Sequence, residues 1–474
     1  MLVQDFVYTS LRVTPFLNVR APNPMRNYPM LNPEKPCVPR ALIVAVQLDS
    51  VSDVDFKSSL AELGELAKTL GLEVVGQFTQ KRSSFDSSAY IGVGKREEIR
   101  QFLQADQALP QAKREPVEFV LVDHEISPSQ ALNLENEVGC EVMDRTVVIL
   151  EIFHRNASSH AARVQVEIAR LTYMAPRLRE AAKREGPSGR QRSGSGGRGA
   201  GQSRSQLDSQ KVRDRIAELQ KEIDAMEASR DTQRSRRQGL AQVALVGYTN
   251  AGKSTLMRAL TGRDALVANK LFATLDTKVR TLQPESVPRI LVSDTVGFIK
   301  NLPHGLVASF KSTLDEALSA SLLLHVIDAG DPDFEMQIAV TDKVLAEIGA
   351  DSVQRIRVFN KIDYLDDAVA QAERTAELQE KYPGCIVLSA RRKDDITELH
   401  QTIVKIFQKD LIEAEIFLPW SAQELRGEIF ASCEVLEERA EAEGAFFRLR
   451  AAPDVVTRLC ERSDNDNGSL NEEA

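Results

Sequence analysis

Residues 247–254 place two glycines, a lysine and a hydroxyl in the order Gly247, Tyr248, Thr249, Asn250, Ala251, Gly252, Lys253, Ser254, followed by Thr255. The spacing is G-x-x-x-x-G-K-[ST], and the apolar residues 242–246 ahead of it read as a strand. Such a turn can curl backbone N–H groups around a polyphosphate, and the helix that opens near Ser254 adds its positive end. Lys253 would reach the outer phosphates. The Ser254 hydroxyl would bind Mg²⁺. Another kind of phosphate-loop nucleotidase shares this pattern, so the loop alone does not fix the base.

Three further segments narrow the chemistry. Residues 291–297 are an apolar strand ending in Asp294, Thr295, Val296 and Gly297. There Asp294 would hold Mg²⁺, usually through water, and the Gly297 N–H would sense a γ-phosphate. Residues 358–363 carry Asn360, Lys361 and Asp363. A carboxylate at Asp363 can accept two hydrogen bonds from the N1–H and exocyclic amine of guanine, a donor pair that adenine lacks. Asn360 would orient the loop, and the Lys361 stem would cover the base. After another apolar strand, Ser389, Ala390 and Arg391 offer a backbone N–H to the guanine O6. Each tetrapeptide also reads as an ordinary strand-end turn. All four in this order, each after an apolar run, point to GTP and GDP as ligands.

Two positions bear on hydrolysis. Thr274, within Phe272, Ala273, Thr274, Leu275 and Asp276, lies between the phosphate loop and Asp294, where a loop must close over Mg²⁺ and the γ-phosphate; a helix-capping threonine is the alternative. After Gly297 comes Phe298, where many such proteins place a water-orienting glutamine. The catalytic set is therefore Lys253, Thr274, Gly297 and Asn250. Asn250 beside the phosphates is the position at which a K⁺ ion could be recruited to supply charge in the transition state. An asparagine that merely shapes a tight turn is the alternative.

These residues need elements to hold them. From residue 241 to about 408 strands alternate with helices, the signature of a mostly parallel sheet. Residues 41–156 are also α/β: residues 41–46 and 117–122 are strand-length apolar runs, and Leu60, Leu63, Leu66, Ala67 and Leu70 share a helix face. Ser127 is an N-cap candidate, with Pro128 in the first turn. Residues 157–240 read as two helices, one carrying Val164, Ile168 and Leu171, the other Ile216, Leu219 and Ile223. Between them, residues 186–201 are rich in Gly, Ser and Arg and can only be loop. Residues 409–462 are a small α/β end-piece: a strand at 416–418, a helix after Trp420 and a hairpin around Gly444. Residues 1–40 read as an extension rather than a transit peptide, and residues 463–474 as an acidic, disordered tail.

Bulk composition excludes several classes. With 474 residues, 42% of them hydrophobic, the chain is long enough for about three packed domains. A net charge of -9 rules out binding nucleic acid through the global field, so any RNA contact must be local. Arg190, Arg192, Arg198 and Arg204, in and beside the glycine-rich loop, are the candidates, and their guanidinium groups could follow folded rRNA. A solvated linker is the other reading of that segment. The five scattered cysteines make no C-x-x-C pair, which suits a reducing compartment. No apolar run spans a bilayer.

The motifs together resemble the HflX family of GTPases over roughly residues 41–460. Beyond the nucleotide elements, the resemblance rests on residues 90–95 (Tyr-Ile-Gly-Val-Gly-Lys), 123–130 (Asp-His-Glu-Ile-Ser-Pro-Ser-Gln) and Asp144, Arg145 and Thr146. Also similar are residues 165–167, 176–178, 272–276, 298–304 and 418–420. The resemblance implies a multidomain α/β protein: an N-terminal α/β HflX domain, a helical hairpin, a P-loop Ras-like GTPase domain and a small α/β C-terminal domain. It implies a cytoplasmic, monomeric enzyme without a membrane partner, with the large ribosomal subunit and its rRNA as partners in splitting, rescue or assembly. Two departures stand out. Residues 199–203 are Gly-Ala-Gly-Gln-Ser where the family usually has a Gly-Pro-Gly-Glu run, and residues 275–278 are Leu-Asp-Thr-Lys where it usually has Leu-Asp-Pro-Thr.

Overall fold

The computed structural model describes residues 38–108, 116–184, 204–262, 271–272, 278–300, 316–365, 367–409 and 411–468, except 236–239. Three sheets organise them.

The first sheet has the order β2-β1-β3-β4 and is parallel throughout. Its strands are β1 (Arg40–Leu48), β2 (Glu73–Arg82), β3 (Val117–Val122) and β4 (Glu141–Asp144). Strand β1 is a near-continuous apolar run because helices cover both of its faces. Strand β2 carries no such run: it lies at the sheet edge, and its burial alternates. Helix α1 (Asp53–Thr69) starts at Ser52, whose side chain accepts from Asp55 N, and buries Leu60, Leu63, Leu66 and Ala67. Helix α2 (Val93–Ala108) precedes β3. Helix α3 (Pro128–Val138) has Ser127 as its N-cap, in a reciprocal capping box with Gln130. Helix α4 (Arg145–Asn156) is capped by Asp144, which accepts from Val147 N at 2.9 Å.

Asp144 explains two of the motifs quoted above. Its Oδ2 accepts from Tyr173 Oη at 2.6 Å and from Arg177 Nη2 at 2.5 Å, and both donors lie on helix α5 (His160–Arg184). The 176–178 motif thus ties the hairpin to the first sheet. Helix α6 (Arg204–Ser235) returns against α5, with Val164, Leu171, Leu219 and Ile223 buried between them. Residues 185–203, including Arg190, Arg192 and Arg198, lie outside the described residues. Arg204 opens α6, and its side chain also lies outside them.

The second sheet has the order β10-β9-β8-β5-β7-β6. It comprises β5 (Ala241–Val246), β6 (Lys278–Thr281), β7 (Ile290–Asp294), β8 (Leu322–Asp328), β9 (Arg355–Asn360) and β10 (Ile386–Val387). Only β6 runs antiparallel, against β7. Helix α7 (Lys253–Thr261) follows β5; α8 (Phe334–Glu347), α9 (Ala368–Lys381) and α10 (Lys393–Lys409) follow β8, β9 and β10. This is the doubly wound arrangement in which ligands sit at the carboxyl ends of the strands.

The third sheet is antiparallel, β11-β13-β12, from β11 (Ile412–Pro419), β12 (Glu434–Ala440) and β13 (Gly444–Ala451). Helix α11 (Glu424–Ser432) and helix α12 (Pro453–Gly468) complete the unit. Helix α12 corrects one expectation. Residues 463–468, read as the start of a disordered tail, continue the helix; Val455 and Leu459 are buried against the sheet and anchor its first turns. Among the described residues no helix is long and apolar enough to cross a membrane. Cys140, Cys385, Cys433 and Cys460 are free thiols.

Candidate nucleotide site

The phosphate loop leaves the end of β5 and is closed by the start of α7. Asn250 (φ 61°) and Gly252 (φ 96°) hold it in left-handed conformations. A Cβ on Gly252 would meet Asn360 Nδ2 at 2.2 Å, so the close approach of the phosphate loop to the Asn360 strand end requires glycine there. The Lys253 ammonium is buried and donates to Gly247 O at 2.9 Å and Tyr248 O at 2.7 Å. Burial lowers its pKa from the usual lysine range to about 8, against the pull of nearby Asp294.

Strand β7 delivers Asp294 beside α7. The Ser254 hydroxyl donates to Asp294 Oδ2 at 2.7 Å. Asp294 is buried, and its Oδ1 has no hydrogen-bond partner among the described residues. Thr295 is held by a bond from Oγ1 to Leu245 O at 2.7 Å. The next residues are laced to the phosphate loop through the backbone: Phe298 N donates to Gly247 O at 3.1 Å, and Thr249 N donates to Phe298 O at 2.7 Å. A Cβ on Gly297 would lie 3.0 Å from Lys253 Nζ and 2.9 Å from Thr249 Cγ2, so a side chain there would push against the phosphate loop. The Phe298 side chain is buried at 1% exposure among Val246, Ala317 and Leu323. It offers no polar atom to a water.

The base-recognition elements converge at the ends of β9 and β10. Asn360 is buried; its Nδ2 donates to Ala251 O and its Oδ1 accepts from Ala390 N, both at 2.9 Å. Of the backbone N–H groups of residues 389–391, one of which is expected to face guanine O6, that of Ala390 is thus already engaged. Lys361 (φ 66°) donates to Asp328 Oδ2 at 2.7 Å. Asp363 sits in a short 3-10 turn, Ile362–Tyr364, with Arg391 Nη1 3.4 Å from its Oδ2. Ser389 N donates to Asp395 Oδ2 at 2.7 Å, and Arg391 N donates to Ser389 Oγ at 3.2 Å. Asp328 and Asp395 were not among the residues read from the sequence. Their signal is weak, since a single aspartate after a strand or at a helix start has many uses.

Two expected nucleotide residues present their side chains elsewhere. Tyr248 and Phe272 are both buried in the core cluster of the first sheet. Phe272 lies edge-on to Phe153 with ring centroids 4.6 Å apart. Only their backbones remain for the ligand, because an aromatic ring is stabilised by apolar burial more than by a loop facing water. Val296 belongs to the same cluster. Ala273, Thr274, Leu275 and Asp276 lie outside the described residues. Thr255 lies in the first turn of α7, half-buried.

Comparison with known proteins agrees with this arrangement. Residues 57–154 match the family described as GTP-binding GTPase N-terminal, residues 156–237 the GTP-binding GTPase Middle Region, and residues 242–361 the 50S ribosome-binding GTPase family. The chain is 49% identical over 453 residues to the GTPase HflX of Gluconacetobacter diazotrophicus, covering 90% of this chain and 98% of that protein. It is 38% identical over 422 residues to GTPase HflX of Caldanaerobacter subterraneus, covering 89% and 92%. It is 36% identical over 424 residues to GTPase HflX of Escherichia coli, covering 88% and 95%. A phosphate loop, a guanine-type strand end and relatives matched nearly end to end lead to one conclusion: the chain belongs to the HflX family of GTPases, and hydrolysis of GTP is its reaction.

Proposed function

We propose that this GTPase engages the large ribosomal subunit and its rRNA when GTP is bound, acting in the cytoplasm as a monomer in ribosome splitting, rescue or recycling. The observation that carries the reading is the coupling of a nucleotide domain, similar to the 50S ribosome-binding GTPase family, to a pair of long helices packed on each other. In sequence, the segment between those helices carries Arg190, Arg192 and Arg198, and Arg204 opens the second helix.

In the site, the residues fit Mg²⁺. Asp294 Oδ1, buried and without a hydrogen-bond partner among the described residues, and the Ser254 hydroxyl bonded to the same carboxylate are hard oxygen donors of the kind Mg²⁺ takes. Ser254, Thr274 and Asp294 would hold the ion, which neutralises charge on the β- and γ-phosphates when bound. The chain's own groups do the rest. Lys253 exchanges its two carbonyl partners for phosphate oxygens. The N–H groups of residues 249–255 cradle the phosphates, and the Gly297 N–H meets the γ-phosphate. Asp363 accepts from guanine, and Ser389, Ala390 and Arg391 wall the base. Asn250 is where K⁺ would be recruited.

The buried Phe298 favours a second reading, in which the protein is a nucleotide-switched rRNA-binding assembly factor with little intrinsic turnover. Cosedimentation with purified large subunits under a non-hydrolysable GTP analogue and under GDP tests the main reading. Stronger pelleting with the analogue is expected, and equal or absent pelleting in both defeats it. Phosphate release with and without ribosomes separates the two readings.

A further inference from the structure

Tyr248 is the second residue of the phosphate loop, yet its ring lies in the core of the first sheet with Leu66, Phe153, Phe272, Val296 and Ile299. Its hydroxyl makes two directed bonds. It donates to Glu62 Oε1, on α1, at 2.5 Å, and accepts from the backbone N of Lys300 at 2.7 Å. Glu62 Oε2 is bound by Arg145 Nη2, and Arg145 Nη1 reaches Asp123 Oδ1 at 2.9 Å. Asp123 also accepts from Ser59 Oγ, on α1, at 2.7 Å. Arg145 and Asp123 are each 2% exposed. A buried ion pair of this kind has little freedom to rearrange, because each charge loses its solvation if its partner leaves.

The chain of bonds ends where hydrolysis is sensed. Residues 247–249 and 298 are already joined through the backbone, and the Tyr248 hydroxyl adds a second clamp at Lys300. The carboxylate of Glu62 accepts the Tyr248 O–H, which leaves the hydroxyl oxygen's lone pairs to accept from Lys300 N. Burial and the neighbouring Glu62 carboxylate raise the Tyr248 pKa well above the usual phenol range, so the hydroxyl stays a donor. The other switch segment is fastened to the same unit. Asn156 Nδ2 donates to Phe272 O at 2.8 Å, and Leu271 N donates to Thr69 Oγ1 at 3.3 Å.

We infer that Glu62 is a positioning residue for GTP hydrolysis: through Tyr248 it holds residues 297–300 in the register at which the Gly297 N–H meets the γ-phosphate. The inference rests on the reading of Gly297 as the γ-phosphate sensor. Glu62 touches no nucleotide. Arg145, itself held by Asp123, keeps its carboxylate aimed at Tyr248. The first sheet thereby becomes part of the hydrolytic apparatus.

The test uses the full chain with Tyr248→Phe, Glu62→Gln and the double variant. Single-turnover hydrolysis and the affinities for GDP and for a non-hydrolysable GTP analogue are measured, with thermal unfolding as a check on folding. Tyr248→Phe keeps the packed ring and removes only the hydroxyl. Each single variant is expected to lose about tenfold in hydrolysis rate, the scale of a small misplacement, with GDP affinity within about twofold of the parent. The double variant is expected to lose no more than the worse single variant, because both act through one bond. A parental rate in folded Tyr248→Phe, or losses that multiply in the double variant, would overturn the inference. Gly297→Ala is run alongside. If it hydrolyses normally, the sensor reading itself fails; if it is impaired while Tyr248→Phe is not, only the positioning role fails.

Discussion

Asn360 Nδ2 donates to the backbone carbonyl of Ala251 at 2.9 Å, which fixes the base-recognition strand end directly against the phosphate loop. The same side chain accepts from Ala390 N, so three segments far apart in sequence meet on one amide. This buried junction sets where the strand end that leads to Asp363 stands relative to the phosphate loop.

Asp363→Asn replaces paired acceptors by one acceptor and one donor. Loss of a charge-assisted bond is worth about 1.5–3 kcal/mol, so GTP affinity is expected to fall roughly 10- to 150-fold while xanthine nucleotides gain. Competition binding with GTP, XTP and ATP reads this. Parental protein that bound ATP as well as GTP would remove the guanine assignment.

Replacing Arg190, Arg192, Arg198 and Arg204 by Ala is expected to weaken binding to large subunits and flatten its salt dependence by up to about one unit of log–log slope per lost phosphate contact. Nucleotide affinity should stay within about twofold, since these residues lie outside the nucleotide motifs. A salt titration indistinguishable from that of the parent would make the segment a solvated linker.

Asn250, in its left-handed turn, is the test of the potassium proposal. Exchanging K⁺ for Na⁺ at constant ionic strength is expected to slow hydrolysis by roughly 100-fold, the scale of one missing charge-stabilising group at the transition state. Asn250→Ala should abolish the difference between the two salts. Equal rates in both salts, with and without ribosomes, would leave Asn250 a loop-shaping residue.

Lys253 supplies a pH signature. With its pKa at about 8 in the free site, it is partly neutral above that pH. A bound triphosphate favours the ammonium, so binding takes up a proton. Calorimetry in buffers of different ionisation enthalpy should show about half a proton taken up near pH 8, and almost none near pH 6.5. No uptake at either pH would mean that the lysine is fully charged before the nucleotide arrives.

Glu141 gives a stability signature away from the site. Burial first, then Glu135 and Glu118, raise its pKa from 4.5 to about 8. The folded state then holds more protons than the unfolded state across that window. Its contribution to stability is full below the unfolded value and is lost as pH rises through about 8. Glu141→Gln should therefore raise the melting temperature near pH 8 by roughly 2–4 °C and change it little near pH 4.5. A shift of equal size at both values would point to packing instead of charge.

The sequence by itself determined the nucleotide chemistry. Gly252, Lys253, Ser254, Asp294, Asn360 and Asp363 each sit at a strand end, in a short turn or at a helix start, so their spacing along the chain nearly fixes their spacing around a ligand. The strands with continuous apolar runs, β1 and β3, were legible for the same local reason, whereas edge strand β2 was not. Only the tertiary structure decided what Tyr248 does. Its partner Glu62 is 186 residues away, and Glu62 lies 83 residues from Arg145. Nothing in a phosphate-loop pattern says which face of a second sheet will cover its aromatic residue. That follows from how α1, α4 and the loops at Phe272 and Ile299 share one apolar core, and burial in that core forces the tyrosine hydroxyl and the arginine to find partners.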